Sequence, residues 1–148
     1  MCCPKCGEAM RSASDPPPLR CSAQAYQKVG RTLARRRQER FVVVALDARN
    51  RILARHVAAV GSLTACIVHP REVFAPLIRD RAAATILIHN HPSGDPSPSA
   101  EDLELTERLT QAGRLLGIIV LDHLVVGNDG YYSFRDAGRL DVREVDHG

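Results

Sequence analysis

The residues best equipped for chemistry lie between Ile86 and Asp102, in the stretch Ile-Leu-Ile-His-Asn-His-Pro-Ser-Gly-Asp-Pro-Ser-Pro-Ser-Ala-Glu-Asp. Two imidazoles, His89 and His91, are followed by the carboxylate of Asp102, and such a set can converge on one divalent ion. Zinc is the usual occupant of a His/His/Asp set. Three protein ligands leave the fourth tetrahedral position to water, which is the catalytic arrangement rather than the closed structural one. A His-x-His pair alone is a weak signal, so the weight falls on the elements that must bring the three together.

Thr85 to Ile88 is β-branched and apolar and reads as a buried strand. Side chains two apart on a strand share a face, so His89 and His91 project together at its end. Pro92 to Pro98 is rich in Ser, Gly and Pro, and there the chain must turn. Ser99 stands at a helix N-cap, with Asp102 three residues on, where an acidic side chain can answer the cap. Capping alone does not explain the helix that comes next. Leu105, Leu109, Ala112 and Leu116 form its apolar stripe, and Asp102 lies almost on that stripe. Glu101, Glu104, Arg108 and Gln111 take the wettable side. An inward carboxylate needs a partner, because an unpaired buried charge is costly.

His89-Asn90-His91-Pro92, six residues, and then Ser99-Ala100-Glu101-Asp102 resembles the JAMM signature of the JAB/MPN metalloprotease-like superfamily. His-Asn-His-Pro-Ser-Gly-Asp-Pro, with Leu121-Asp122-His123 downstream, narrows the resemblance to the RadC family, over about Thr32 to Phe134. It implies an α/β fold, a mixed β-sheet flanked by helices in the three-layer architecture shared with cytidine deaminases. It also implies one catalytic Zn2+ per chain held by His89, His91 and Asp102, with a hydrolytic water. Ser99 would stand beside the reacting carbonyl. The same resemblance asks for a glutamate two residues before the Phe that opens the first strand, and Glu39-Arg40-Phe41 matches it, making Glu39 the candidate general base. Glu72 comes just after the His69-Pro70 helix start, where acids are common for dipole reasons, and Glu8 lies outside the matched region.

Gln24 to Gln38 could be helical and is strongly basic. Its Arg31, Arg35, Arg36 and Arg37 are candidate nucleic-acid contacts, although a solvated helix face accounts for them slightly better, since only Tyr26 interleaves them as a stacking ring. Phe41 to Leu46 is a strand. Asp47 to Asn50 turns it into an antiparallel Ile52 to Val60, which Gly61 breaks. Leu63 to Val68 is a third apolar segment. A helix begins at His69-Pro70 and runs to about Arg81, with Pro76 demanding a kink or a late start near Arg71. Gly117 ends the helix after the metal stretch. Ile118 to Val126 is a strand, and Asn128-Asp129-Gly130 folds it back on Tyr131 to Phe134. Asp122 and His123 face opposite sides of that strand, so one of them is expected to orient a ligand imidazole through its other ring nitrogen. The polar tail from Arg135 to Gly148 is expected to fray.

The chain of 148 residues has room for one domain, here expected over 20–136, between a cysteine-containing segment with linker (1–19) and a C-terminal tail (137–148). Only 4% of residues are aromatic, so the core must be built from Val, Ile, Leu and Ala. No apolar run approaches the ~18 residues of a membrane span and no signal peptide is apparent, which points to the cytoplasm. Cys3-x-x-Cys6 followed by Gly7 is half a zinc knuckle. Cys2 and Cys21 could complete a second, structural Zn2+ site, against the alternative of a flexible tail with free thiols.

Two functions are compatible with these residues. One is a JAMM-type zinc hydrolase cleaving a peptide or isopeptide bond, the substrate class that the superfamily resemblance implies. The other is a nucleic-acid-associated protein of DNA repair or mobile elements, in which the metal serves a nuclease or only the fold. The longer RadC members carry a helix-hairpin-helix DNA-binding segment upstream, and here a cysteine knuckle stands in its place. The histidine pair does not fit the His-x-Glu pattern of zinc deaminases.

Overall fold

The computed structural model describes residues 16–61 and 68–140. Five strands, β1 (Arg40–Leu46), β2 (Ile52–Val60), β3 (Ala84–Asn90), β4 (Ile119–Val126) and β5 (Tyr131–Ser133), form one sheet in the order β2-β1-β3-β4-β5. β1 is antiparallel to β2 and β3, β3 is parallel to β4, and β4 is antiparallel to β5. A parallel pair cannot be joined by a tight turn. Helix α4 (Ala100–Leu116) makes the crossover from β3 to β4.

Composition matches position in the sheet. β1 and β3 are central, and their runs Phe-Val-Val-Val-Ala-Leu and Ala-Thr-Ile-Leu-Ile-His-Asn are buried on both faces. β2 lies at the edge, and Leu53, Arg55 and Val57 on it alternate outward. One face of the sheet carries Phe41, Val43, Leu87 and Val125 against Val73, Phe74 and Leu77 of α3 (Pro70–Arg79) and Leu109 of α4. The other carries Val42, Val44, Leu46, Ile88 and Val126 against an N-terminal helical stretch. That stretch is α1 (Ser22–Ala25), a π-helical turn (Tyr26–Gly30) and α2 (Arg31–Ala34) in succession. Helices on both sides of a mixed sheet are the architecture that the sequence leads one to expect.

Several expectations are corrected. The N-terminal helix stops at Ala34, so Arg35, Arg36 and Arg37 lie in the turn before β1 and not along a helix. α3 starts at Pro70 and continues through Pro76 to Arg79. A late start is unnecessary because Glu72, whose carbonyl loses a helical donor to Pro76, is exposed to water. The third apolar segment lies outside the described residues except for Val68, which is buried in the core. On α4 the buried positions are Asp102, Thr106, Leu109 and Gly113, whereas Leu116 is exposed. The segment after β5 does not fray at once. Ala137 and Arg139 donate to the carbonyls of Ser133 and Phe134, and Leu140 is buried. With Leu19 also buried, the packed unit is wider than 20–136.

α4 ends at Gly117, which is left-handed (φ 76°), and the chain doubles back so tightly that a Cβ on Gly113 would stand 2.3 Å from the Ile118 carbonyl oxygen. Helix propensity favours Gly113→Ala by ~1 kcal/mol. Overpacking against rigid backbone costs more, so the substitution is expected to destabilise the chain by about 2 kcal/mol. The midpoint of urea unfolding checks this, and a midpoint above wild type refutes the close packing of α4 on β4.

Candidate metal centre

β3 ends on His89 and Asn90, and His91 comes next with its N–H on the Val126 carbonyl, which keeps it in line with the strand. Their neighbour is the first turn of α4. Ser99 and Asp102 form the capping box: the Ser99 hydroxyl accepts the Asp102 N–H at 3.1 Å, and Asp102 Oδ2 accepts the Ser99 N–H at 2.8 Å. The same carboxylate faces both imidazoles. His89 Nε2 is 3.2 Å from Asp102 Oδ1, His91 Nε2 is 3.1 Å from Oδ2, and the two Nε2 atoms are 3.1 Å apart. Ligand atoms on a tetrahedral zinc at ~2.0–2.1 Å stand about 3.3 Å apart. The two imidazole nitrogens therefore have the spacing of two such ligands, and each meets its own oxygen of Asp102 at a similar distance, so that the three residues form a triangle.

Hydrogen-bond arithmetic sets the tautomer of each imidazole. The Thr106 hydroxyl donates its one hydrogen to the Asp102 carbonyl at 2.6 Å, so towards His123 Nδ1, also 2.6 Å away, it acts as acceptor. His123 is neutral, since burial above all holds its pKa well below the ordinary value. Its proton sits on Nδ1 and its Nε2 accepts. The partner there is His89 Nδ1 at 2.7 Å, which donates and leaves His89 Nε2 as a lone pair facing Asp102. His91 reaches the same state by another route, its Nδ1 donating to the Asp95 carbonyl at 3.0 Å. Both imidazoles present an unprotonated nitrogen to one point, the state that metal ligation requires.

The surroundings are apolar. Phe41 stacks on His89 at 5.8 Å and Phe134 on His123 at 4.9 Å. Glu39 closes the far side, with His89 Nε2, His91 Nε2 and a Glu39 carboxylate oxygen grouped closely enough to hold an ion. The covering loop is held by close approach. A Cβ on Gly94 would stand 2.3 Å from Asn128 Nδ2, and one on Gly127 would stand 2.2 Å from the Gly94 carbonyl oxygen.

His89, His91, Ser99, Asp102 and Glu39, all singled out in the sequence, come together, and of the Asp122/His123 pair His123 touches a histidine of the triangle. Asp122 faces elsewhere, accepting from the His123 and Arg135 N–H groups and the Ser133 hydroxyl. Cys2, Cys3 and Cys6 lie outside the described residues. Cys21 is disulfide-bonded, and the knuckle expected of it with these three cysteines is not among the described residues. Sequence reasoning misses Thr106 and Asn90. Thr106 is four residues after Asp102, on its face of α4, and helical periodicity alone is enough to find it. Asn90 donates through Nδ2 to the carbonyls of Arg36 and Gln38 and accepts the Arg40 N–H. Nothing local marks it.

A family model described as a RadC-like JAB domain matches residues 19–139. The chain belongs to the RadC-like JAB domain family. It is 55% identical over 104 residues to a "UPF0758 protein" of Syntrophotalea carbinolica, covering 70% of this chain and 46% of the relative. It is 52% identical over 118 residues to one of Trichlorobacter lovleyi, covering 80% and 51%. A third, from Symbiobacterium thermophilum, is 59% identical over 102 residues, covering 69% and 44%. The chain thus spans about half the length of the curated relatives it matches, and their shared name states no activity. Among the described residues of this RadC-like domain, no helix is long and apolar enough to cross a membrane.

The hydrogen bonds of β4 assign different duties to its two neighbouring polar residues. His123→Ala is expected to weaken zinc binding by ~10–100-fold with the fold intact. Asp122→Ala should leave zinc affinity unchanged but cost about 3 kcal/mol of stability, through three donors left unpaired. Competition with a chelating dye and urea unfolding measure the two effects, and equal zinc affinity in His123→Ala rules out its orienting role.

The pH response of the metal-free chain has a definite sign. A proton taken up at His91 Nε2 in place of a metal is shared with Asp102, and that hydrogen bond raises the His91 pKa above 6.5 in spite of burial. That stabilisation is complete below 6.5 and is lost as pH rises through the folded value. Burial works to raise the pKa of Asp102, but in the metal-free chain at low pH the imidazoles of His89 and His91, protonated at Nε2 in place of a metal, and the Ser99 N–H outweigh it, so the carboxyl lies well below its ordinary 3.8. This contribution is present above 3.8 and is lost on acidification. His123, buried neutral, works the other way and costs stability as pH falls below 6.5, so the His91 contribution is read as a difference: the chelated wild type should out-melt chelated His91→Gln by more at pH 6 than at pH 8, whereas zinc, which competes with the protons, should raise the wild-type melting point most at pH 8. Calorimetry with and without chelator reads both, and a wild-type advantage that grows from pH 6 to 8 would contradict it.

Proposed function

We propose that this domain is a zinc-dependent hydrolase of the JAMM type that cleaves a peptide or isopeptide bond. The observation that supports it best is the convergence of His89, His91 and Asp102 in contacts of 3.1–3.2 Å, with the Nδ1 of each imidazole held by a partner of its own so that Nε2 is the nitrogen facing the carboxylate. Zinc held there by these three residues supplies Lewis acidity, polarising a carbonyl and lowering the pKa of water from ~15.7 to about 7.

The side chains around the triangle supply the rest. Glu39 lies beside the Nε2 atoms of His89 and His91, where its carboxylate takes the proton of the attacking water and passes it to the departing amine. Ser99 Oγ accepts from the Asp102 N–H, and its own hydroxyl hydrogen is left to donate to the carbonyl oxygen as negative charge develops there, a contribution of ~3 kcal/mol for a well-placed donor. Phe41 and the buried His89 keep water off one side, which strengthens each of these interactions. The alternative, a nucleic-acid-associated protein, draws on the four arginines ahead of β1.

Metal content separates the readings first. The wild type, reconstituted with zinc and desalted, should hold one ion at this site, which His89→Ala and Asp102→Ala lose. Glu39→Gln should keep the ion while zinc-dependent cleavage of a peptide library, read by mass spectrometry, falls by ~10²–10⁴-fold. A wild type that takes up no divalent metal overturns the hydrolase.

A further inference from the structure

Beside the triangle, on the other face of the sheet, the turn between α2 and β1 walls a cavity of about 490 Å³. Its lining includes Arg31, Arg35, Arg36 and Arg37, together with Pro92, the residue after His91, and Asn128, whose N–H holds the Gly94 carbonyl of the covering loop. No carboxylate among the described residues lines it. Arg31 donates to Gln27, a neutral partner. Arg35, Arg36 and Arg37 form no side-chain ion pair or hydrogen bond among the described residues. By strand alternation Arg40 points to this same face, and its Nε is buried without a partner among the described residues. So many guanidinium groups around one hollow repel each other, and nothing among the described residues neutralises them.

The cavity is also fixed relative to the metal triangle. Asn90 sits between the two histidines and faces the opposite way. It holds the carbonyls of Arg36 and Gln38 at 3.2 and 3.0 Å and the Arg40 N–H at 2.8 Å. One side chain thereby ties the arginine turn, and Glu39 within it, to the strand that carries His89. A ligand seated in the cavity is registered to the triangle.

We propose that this cavity is a substrate subsite that selects a peptide carrying clustered Asp or Glu side chains next to the bond to be cut. The peptide character of the ligand rests on the hydrolase reading, while the anion-binding character rests on the arginines alone. At about 490 Å³ the hollow has room for a few carboxylate side chains, each able to take a forked guanidinium contact.

The test uses the zinc-loaded full chain and fluorescence anisotropy with three labelled probes: an oligoglutamate, a Gly-Ser peptide of equal length, and an oligothymidylate of equal charge. Oligoglutamate should bind best. Its affinity should fall about ten-fold in Arg35→Ala/Arg36→Ala/Arg37→Ala and stay unchanged in Arg79→Ala/Arg108→Ala, whose arginines lie on α3 and α4 across the sheet. Zinc content should be equal in all three proteins. If the triple variant does not fold, Arg35→Gln/Arg37→Gln provides the same comparison. Oligoglutamate binding no better than Gly-Ser, or no weaker in the arginine variants, overturns the subsite, and tighter binding of oligothymidylate reassigns it to nucleic acid. Zinc uptake is read separately, so a chain that binds zinc but not oligoglutamate loses only this proposal. A chain that binds oligoglutamate but no zinc loses the hydrolase and the substrate role with it, and keeps only an anion-binding site.

Discussion

A carboxylate out of water is the constraint on which the centre depends. Asp102 is 4% exposed at the start of α4, and leaving such a charge unpaired costs several kcal/mol, more than the ~1 kcal/mol that a helix cap contributes. Its two oxygens meet both demands. Oδ2 takes the Ser99 N–H and lies against His91, while Oδ1 lies against His89. Helix start and charge compensation are thus one arrangement. The entry of α4 is located by the imidazoles at the end of β3 as much as by its own cap.

The imidazoles in turn are set by donors that run in one direction. The Asp102 carbonyl takes the Thr106 hydroxyl hydrogen, Thr106 takes the His123 Nδ1 hydrogen, and His123 Nε2 takes that of His89 Nδ1. The backbone of one residue in the triangle therefore decides, through two side chains, which nitrogen of another is bare. This works only while His123 stays neutral. Phe41 and Phe134 against its ring supply the apolar surroundings that keep it so.

Much of this is legible in the chain. His89, His91, Ser99 and Asp102 sit in one short stretch whose strand, turn and cap are each local signals, and alternation along β4 requires that only one of Asp122 and His123 face the histidines. What stays hidden depends on partners far apart in sequence. Thr106 reads as one polar position on an amphipathic helix until β4 brings His123 to it, and Asn90 reads as a spacer until the 36–40 turn comes within reach. The basic helix is drawn too long for the same reason. Propensity carries a helix on through the arginines, but the carbonyls of Arg36 and Gln38 bond to Asn90 instead of continuing it. The stripe of α4 misleads at Leu116, because a hydrophobic repeat does not show that the helix ends beyond the edge of the sheet it packs on.

The period of two along a strand explains how a single sheet serves two sites. On β1, Phe41 and Val43 face α3 and α4 whereas Val42 and Val44 face the N-terminal helices, and the same alternation sends Glu39 towards the triangle and Arg40 away from it. On β3, His89 and Asn90 part in the same manner. Two adjacent strands thus each place one residue on the metal side and its neighbour on the arginine side. The link between them is the Arg40 N–H to Asn90 bond at 2.8 Å, which crosses from one strand to the other. A shift of register by one residue would exchange every one of these assignments at once, carrying Glu39 away from the histidines and Arg40 into them. The flanking Phe41 and Leu87, fully buried on the metal side, make that shift prohibitive, so the hydrophobic core holds the base and the arginines on their separate faces.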